Sequence, residues 1–376
     1  MKLVIISHTE HYKQADETIV GWGPTINELN HLLSVFDEIT HVAMLHPGTP
    51  PPSSLAYASS RIKFIALQPL GGKSVFSKLK LITNTPKVIS IVSKAIKESD
   101  VFQLRTPTGI GVFLIPYLTW FVKTKGWYKY AGNWNQENPP LGYRLQRWML
   151  TKQKRIVTIN GKWENQPEHC FTFENPCLTL DDYKNGVQMV SNKKYNAPWS
   201  FCFVGRLEKA KGVERIIQAF SVLNDEYKNR IAYVNFVGDG DDLEYFKSLG
   251  AKSGVQMNFL GFLTRDKVFD LYKQSHFFLL PSTASEGFPK VIAEAMNFGC
   301  IPIVSNVSSI GQYINETNGY IVSPTTSKKL KGILTLIFNE NESTLQEKAK
   351  LAANVSIKFT FDNYNNRIKK DIINTH

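Results

Sequence analysis

Two glutamates flank a predicted helix start in the second half of the chain. The apolar run 276–280 predicts a buried strand, and a helical pattern follows at Pro289, which suits the first helical position because it has no N–H to satisfy. Backbone N–H groups around Gly287–Lys290 would then face an anion at the helix N-terminus. Glu286 in the loop and Glu294 in the helix add carboxylates that accept hydrogen bonds from hydroxyl pairs. The stretch predicts a ligand with both a phosphate and hydroxyls, such as a sugar nucleotide; a loop acid beside a solvated helical acid is the plain alternative.

Two cations follow an earlier strand. Residues 199–204 predict a buried strand, and Arg206 and Lys211 lie in the segment that leads from it into an apolar helical pattern. The carboxyl edge of a parallel sheet is where ligands of α/β proteins bind. A guanidinium fork and an ammonium at that edge suit a diphosphate. A solvated basic turn is the competing interpretation.

These motifs resemble a known family. From about Ser200 to Val322 the chain is similar to the retaining family 4 glycosyltransferases in the order and spacing of Gly205-Arg206-Leu207 with Lys211-Gly212, Val237-Gly238-Asp239-Gly240, Phe259-Leu260-Gly261, Pro281-Ser282 and Glu286 to Glu294. The resemblance implies an α/β protein with the GT-B fold, in which two Rossmann-like domains with parallel sheets face each other across a cleft. It also implies transfer of a sugar from a nucleotide-diphosphate sugar to an acceptor hydroxyl with retention at the anomeric carbon.

The resemblance also assigns roles to residues. It implies that Arg206 and Lys211 bind the donor diphosphate, that Glu286 binds the transferred sugar and that Glu294 binds the ribose diol. Donor contacts nearby would come from Gly287, Phe288 and Pro289. The family often has glycine where this chain has Pro289, which removes one backbone donor. In the first domain, Gly23 lies in a glycine-bearing loop before a helix that we predict at 27–36, and the family's version of that loop faces the donor phosphates.

The acceptor side departs from the family pattern. Many relatives have a histidine at a position that corresponds to Tyr130–Asn133, whereas this chain has none between His46 and His169. Retaining transfer can proceed on one face of the sugar, with the leaving phosphate oxygen taking the acceptor's proton, so catalysis does not require that histidine. Predicted acceptor-side residues are Arg105, Asn133 and Glu137. A non-catalytic subunit that binds a nucleotide sugar or a partner protein is the alternative function.

Length and pattern predict two domains. The 376 residues suit an acceptor-side domain at 1–192 and a nucleotide-sugar-binding domain at 199–360, with a last helix at 361–376 returning to the first domain. Four cysteines without metal-ligand spacing are typical of a reduced interior. Residues 1–7 predict a strand instead of a signal peptide, and no apolar run is long enough to span a bilayer. We therefore expect a cytoplasmic protein.

The basic charge is concentrated in the first half. Of a net charge of +12, eight basic residues and no acidic residue lie between Arg61 and Lys97, a stretch that contains two predicted helices. Val75, Phe76, Leu79 and Ile82 are interleaved with these lysines. A basic amphipathic face suits an anionic membrane surface, so we predict peripheral contact with the cytoplasmic face of the membrane, where a saccharide or lipid-linked saccharide acceptor would be reached. Solvated lysines that keep the protein dispersed are the alternative.

Three other functions are disfavoured. Asp239-Gly240-Asp241 predicts a turn and a helix N-cap, with Asp241 as the cap, and offers too few carboxylates for a magnesium site. We therefore expect no metal and no cofactor beyond the donor substrate. A dehydrogenase is disfavoured because the third glycine of the dinucleotide-binding fingerprint is missing after Gly240. Nucleic-acid binding is disfavoured because no recognised binding motif accompanies the basic residues.

Overall fold

The chain forms two compact units. The computed structural model describes residues 1–72 and 74–374, with backbone alone at Val75, Ser77 and Lys78. The first unit comprises Met1–Glu174 and the C-terminal segment from Tyr364 onward, and the second comprises Asn175–Asn363.

This boundary differs from the predicted one at 192–199, because the helix Leu180–Asn192 packs within the second unit. Its Val190 lies in the core of that unit, and Asn297 Nδ2 donates to Asp182 O at 2.8 Å.

In the first unit, nine strands form one sheet within the described residues. They are β1 (Lys2–Lys13), β2 (Ile19–Trp22), β3 (Glu38–His46), β4 (Ser54–Ala56), β5 (Ile62–Leu67), β6 (Val101–Thr106), β7 (Lys125–Tyr130), β8 (Val157–Ile159) and β9 (Cys170–Thr172). Its helices before the second unit are α1 (Gly23–Leu32), α2 (Val75–Lys97), α3 (Gly111–Trp120) and α4 (Leu141–Thr151).

Strand β1 lies at the centre of this sheet. The parallel strands follow the order β5-β3-β1-β6-β7-β8-β9, and β2 and β4 add an antiparallel extension at the far end of β1. Val4 and Ile6 lie in one buried cluster, while Leu3 and Ile5 lie in another. This alternation places apolar side chains on both faces of the sheet, as expected of a parallel sheet covered on both sides.

The region around Gly23 differs from the prediction. Instead of a loop followed by a helix at 27–36, β2 pairs with the end of β1, and Gly23 is already the first residue of α1. Pro24 explains the early start, since its fixed φ suits the first turn and its missing N–H costs nothing there.

Helix α2 replaces the two helices predicted between 75 and 96. It runs for 23 residues and continues through Pro86. Phe76, Leu79 and Ile82 are exposed on it by 86%, 56% and 67%. Of the other residues in this predicted basic face, Lys73 lies outside the described residues, as does the side chain of Val75. In the part of the chain that the structure describes, we find no helix with the length and apolar character needed to cross a membrane.

The second unit alternates strands and helices. Its strands are β10 (Trp199–Val204), β11 (Ile231–Val237), β12 (Met257–Phe259), β13 (Phe277–Leu280), β14 (Ile301–Ser305) and β15 (Tyr320–Val322). They form a six-stranded parallel sheet in the order β12-β11-β10-β13-β14-β15. Its helices are α5 (Leu180–Asn192), α6 (Val213–Ser221), α7 (Asp225–Lys228), α8 (Leu243–Gly250), α9 (Arg265–Gln274), α10 (Lys290–Asn297), α11 (Ser327–Asn339) and α12 (Glu342–Val355).

The C-terminal segment completes the core of the first unit. Helix α13 (Phe361–Arg367) continues as a π-helix at Ile368–Ile373. Tyr364, Ile368 and Ile372 recur every four residues and join the cluster of Leu3 and Ile5. One helical face of this segment therefore covers part of the apolar face of β1, which α1 also covers through Leu29 and Leu32.

Candidate active site

The loop between β13 and α10 is held by the turn that follows β10. Thr283 N donates to Ala210 O at 2.8 Å, and Ser282 Oγ donates to the same oxygen at 3.3 Å. Ser305 Oγ donates to Ser282 O at 2.5 Å and ties the loop to the next strand. Since β10 and β13 are neighbouring parallel strands, the two loops meet at the carboxyl edge of the sheet, where α/β proteins bind ligands.

Lys211 and Glu286, both predicted site residues, are in direct contact. Lys211 Nζ lies 2.5 Å from Glu286 Oε1, with the two side chains 15% and 36% exposed. A partly buried ion pair at a ligand-binding edge keeps one cation and one carboxylate oriented before a ligand arrives. An ammonium has three N–H donors, so Lys211 can contact a phosphate while it still contacts Glu286.

Two glycines allow these loops to approach. Gly212 has φ +94°, and a Cβ there would lie 2.4 Å from Pro281 O. Gly238 has φ +128°, and a Cβ there would lie 2.0 Å from Gly205 O. Any other residue at these positions would force the backbones apart and would also strain its own conformation.

Arg206 follows β10 at the same edge of the sheet, and its side chain is exposed to solvent. Its Nη1 lies 2.9 Å from Glu208 Oε1, and the side chain is 75% exposed. A guanidinium has five N–H donors, so this pair leaves it able to bind a phosphate.

Arg215 was not predicted from the sequence, yet it braces the site. From helix α6 its Nη2 donates to Thr283 Oγ1 at 3.0 Å, its Nε to Pro281 O at 3.3 Å and its Nη1 to Lys209 O at 3.1 Å. It therefore joins the two loops that carry Lys211 and Glu286. An arginine in the first turn of a helix carries no sequence signal for that role.

The start of α10 differs by one residue from the prediction. Pro289 is the N-cap, with φ −66° and ψ 120°, and Lys290 is the first helical residue. Phe288 turns its side chain into the core, where its ring centroid lies 4.5 Å from that of Phe359. A ligand at this helix N-terminus would therefore meet backbone and not the phenyl ring. Gly299 follows the helix with φ +76°, the left-handed conformation in which helices commonly end at glycine.

Glu294 lies in the second turn of α10 and is partly buried. Burial raises the pKa of its carboxyl, and the charges of Arg265 and Lys290 oppose that rise. Arg265 is itself held by Asp182 Oδ2 at 3.0 Å and by Cys177 O at 2.7 Å. This carboxyl group is suited to accept hydrogen bonds from hydroxyls in a sheltered position.

The turn after β11 leads into α8, and the N-cap of this helix differs from the predicted residue. Asp239 Oδ1 accepts a hydrogen bond from Gly240 N at 2.8 Å, as expected of a turn residue. The N-cap of α8 is Asp242, not Asp241, and its side chain makes no capping hydrogen bond.

In the first unit, Arg105 belongs to a buried charge cluster. Its Nη2 lies 2.9 Å from Glu28 Oε1, its Nε donates to Gln103 Oε1 at 2.9 Å, and Lys129 Nζ lies 2.6 Å from Glu28 Oε1. Lys129 Nζ also donates to Tyr364 OH at 3.2 Å. Arg105 is 11% exposed, so its charge is largely committed to Glu28.

The other predicted residues of this unit occupy different settings. Gly23 N donates to Ser53 O at 3.1 Å, so that amide is already engaged within the unit. Asn133 is buried and its Oδ1 accepts from Asn135 N at 3.1 Å. Glu137 is exposed in the loop before α4.

A pocket of about 320 Å³ lies beside the hairpin of β1 and β2. It is lined by His8, Thr9, Glu10, Tyr12, Trp22, Pro51, Ser53 and Ser54. Among the residues that the structure describes, none forms a hydrogen bond with the buried Nδ1 of His8, and burial lowers the pKa of this histidine. Sequence reasoning missed the pocket, because its residues come from segments whose pairing is visible only in the fold.

Comparison with known proteins gives a class. Residues 186–354 match the profile of the family Glycosyl transferases group 1. The uncharacterized glycosyltransferase MJ1069 of Methanocaldococcus jannaschii is 31% identical over 154 residues, 40% of this chain and 38% of that protein. The serotype-specific mannosyltransferase WbdA of Escherichia coli is 28% identical over 175 residues, 45% of this chain and 21% of that protein. The chain thus matches less than half the length of these relatives, and the family match is confined to residues 186–354.

The similarity in fold covers both units. Alr3699/HepE of Anabaena, whose crystal structure contains UDP, superposes with a TM-score of 0.71 at 17% identity and covers 99% of this chain and 100% of that one. The chain has the GT-B fold, which confirms the predicted fold and the predicted resemblance to glycosyltransferases. Membership of family 4 and retention of configuration stay predictions.

Proposed function

We propose that this protein transfers a sugar from a nucleotide-diphosphate sugar to an acceptor hydroxyl, with retention at the anomeric carbon. The contact between Lys211 and Glu286 carries the proposal, because it puts a diphosphate-binding cation and a hydroxyl-binding carboxylate at one point of the sheet edge. The group 1 family match of the same domain supports it.

In the proposed reaction, the bond between the anomeric carbon and the phosphate oxygen breaks while the acceptor oxygen bonds to the same face of that carbon. The acceptor's proton passes to the departing phosphate oxygen. Lys211 and Arg206 stabilise the negative charge that develops on the diphosphate, which is the largest contribution that such sites usually make. Glu286 orients the sugar and stabilises the positive charge at its anomeric carbon, and Glu294 binds the ribose.

For the acceptor, we propose the pocket at His8. Its volume of about 320 Å³ suits one sugar ring, and Trp22, 55% exposed, offers an aromatic face at its rim. The polar side chains of Thr9, Glu10 and Ser53 line the pocket and can form hydrogen bonds with the hydroxyls of a sugar.

The wider role rests on the relatives. The match to a serotype-specific mannosyltransferase supports a hexosyl donor and a role in cell-surface polysaccharide or glycolipid synthesis. We propose that this synthesis takes place in the cytoplasm. Arg206, Lys211 and the backbone at the start of α10 supply the positive charge that the leaving diphosphate needs, so we propose catalysis without a metal ion.

The test begins with the donor. UDP, GDP, ADP and their sugars are compared by thermal shift, and the best binder is then used in hydrolysis and transfer assays, with the anomeric configuration of the product determined by NMR. Lys211→Gln should reduce turnover by about 10²-fold or more, the scale for loss of one preorganised charge. Lys209→Gln is the matched control, because it removes an exposed lysine from the same turn.

Two results would contradict the proposal. One is the absence of a thermal shift with every nucleotide, and the other is turnover in Lys211→Gln equal to that in Lys209→Gln. An inverted product would remove the retaining mechanism and leave the rest of the scheme intact.

A further inference from the structure

Helix α4 presents an apolar stripe to solvent. Leu141, Leu145 and Trp148 are spaced by four and three residues, which places them on one helical face, and they are 73%, 42% and 58% exposed. The opposite face is packed, with Gln146 and Leu150 buried. A surface helix ordinarily turns polar residues outward, so this stripe is unusual.

The end of α3 adds two aromatic residues at the same end of the unit. Trp120 and Phe121 are each 74% exposed. Arg155, which follows α4, donates from Nη1 to Thr124 O at 2.9 Å and from Nη2 to Val122 O. These bonds hold the chain after α4 against the chain after α3, so the two helices end close together.

Basic residues surround these side chains. Exposed residues with positive charge on α4 and directly after the two helices are Lys123, Lys125, Arg144, Lys152 and Lys154. Between Phe121 and Lys162 the sequence has nine basic residues and one acidic residue, Glu137. Because Lys129 of this stretch is buried against Glu28, the positive charge beside the apolar side chains comes from the five exposed residues.

We propose that these residues form a basic aromatic face, made of Trp120, Phe121, Leu141, Leu145 and Trp148 with the five basic residues above, that docks on an anionic lipid bilayer. Tryptophan favours the membrane interface, where its ring is partly buried and its N–H stays among the headgroups. Apolar insertion and attraction to anionic lipids reinforce each other on such a face.

Other occupants fit these residues less well. A second copy of the chain placed symmetrically on this face would bring like charges together. A nucleic acid would match the charge but would leave Leu141 and Leu145 without an apolar surface to cover them. The anionic bilayer is the partner that satisfies both the apolar stripe and the positive charge.

This face is distinct from the donor site, so docking is tested without any nucleotide. The full-length protein is sedimented with vesicles of phosphatidylcholine, with or without phosphatidylglycerol, at low and high salt. Binding is expected only to the vesicles that contain phosphatidylglycerol. It should weaken at high salt, since the Debye length falls from about 10 Å at 0.1 M to about 3 Å at 1 M. Trp120→Ser with Trp148→Ser should lower the partition coefficient about tenfold or more.

Charge and apolar contact are separated by matched variants. Lys123→Glu with Lys152→Glu should lower partitioning by about 30-fold or more, whereas Lys331→Glu and Leu336→Ser, exposed positions on α11, should leave it unchanged. Vesicles with brominated lipid should quench tryptophan fluorescence in the wild type, and Trp120→Phe with Trp148→Phe should remove that quenching while binding persists.

Three outcomes would overturn the proposal: equal failure to bind anionic and neutral vesicles, quenching that survives in the Phe variant, or a loss of binding in the α11 controls as large as in the face variants. If wild type stays unbound to vesicles and is dimeric by light scattering, while Trp148→Ser is monomeric, the face is an interface between copies instead. Donor hydrolysis is measured on every variant, so a failed docking test leaves the proposed enzymatic function separately decided.

Discussion

Changing Glu286 to glutamine should separate nucleotide binding from turnover. Glu286 is partly exposed, and its Oε1 lies 2.5 Å from Lys211 Nζ. A diphosphate that binds must therefore compete with this carboxylate for the ammonium group. Glutamine keeps the shape of the side chain and its carbonyl oxygen but removes the negative charge. Lys211 would then be free to turn fully to the phosphates.

The size of the effect on binding follows from the exposure of the pair. Exposed ion pairs contribute about 0.2–1 kcal/mol, and this pair, with side chains 15% and 36% exposed, belongs at the upper end of that range. Release of Lys211 should therefore tighten nucleotide-diphosphate binding by up to about fivefold. Turnover should fall by about 10²-fold or more, because the charge at the anomeric carbon loses its carboxylate partner.

Calorimetry with the preferred nucleotide diphosphate measures the first effect, and initial rates of transfer or donor hydrolysis measure the second. Glu294→Gln serves as the contrasting variant: loss of a charged hydrogen-bond acceptor for the ribose should weaken nucleotide binding by about tenfold or more. A Glu286→Gln protein that binds nucleotide tenfold more weakly at unchanged turnover would refute the reasoning and exchange the roles of the two glutamates.

Further outcomes concern the backbone, acid stability and metal. Gly212→Ala should lower the free energy of unfolding by about 1–3 kcal/mol in urea titrations, because of its positive φ and the nearness of Pro281 O, whereas Gly332→Ala, with open space around it in α11, should raise stability by up to about 1 kcal/mol. His276 Nδ1 accepts the Ser200 N–H at 3.1 Å, and burial lowers the pKa of this histidine to about 4. The stability that depends on neutral His276 is therefore fully present above pH 6.5, and the free energy of unfolding should fall by up to about 3 kcal/mol as the pH falls to 4. Urea titrations at pH 7 and pH 4 measure this decline. A smaller decline is expected in His276→Asn. Transfer activity should survive excess EDTA; loss in EDTA that Mg²⁺ restores would disprove the proposed metal-independent clamp.

Much of the second sheet could be predicted from local pattern. The apolar runs at Trp199–Val204 and Phe277–Leu280 form strands within the predicted bounds, since a strand covered on both faces must be continuously apolar. The unit boundary could not be predicted in this way. It depends on Cys177 N donating to Phe359 O and Phe361 N to Leu178 O, contacts between residues far apart in the sequence.

Some residues of the candidate site could likewise be predicted from local sequence patterns, whereas others became apparent only from contacts in the fold. Lys211 and Glu286 are conspicuous because each follows a strand end in a segment of distinctive spacing, and the structure brings them together. Arg215 and His8 were missed because their importance comes from the loops and glycines packed around them. Arg105 was predicted from its position at a strand end, which gives no sign of the buried Glu28 beside it.

The last helix has a consequence for biosynthesis. The chain leaves the first unit at Glu174 and returns at Tyr364, so ribosomes complete the whole second unit before the helix that covers Leu3 and Ile5 emerges. At about 5–20 residues per second, the intervening stretch takes roughly 10–40 s to synthesise. During that interval the nascent first unit exposes the apolar surface that Tyr364, Ile368 and Ile372 later cover, and it lacks the Tyr364 partner of Lys129. The first unit is therefore made first but finished last, and until then its open face is a surface that a chaperone on the ribosome can recognise.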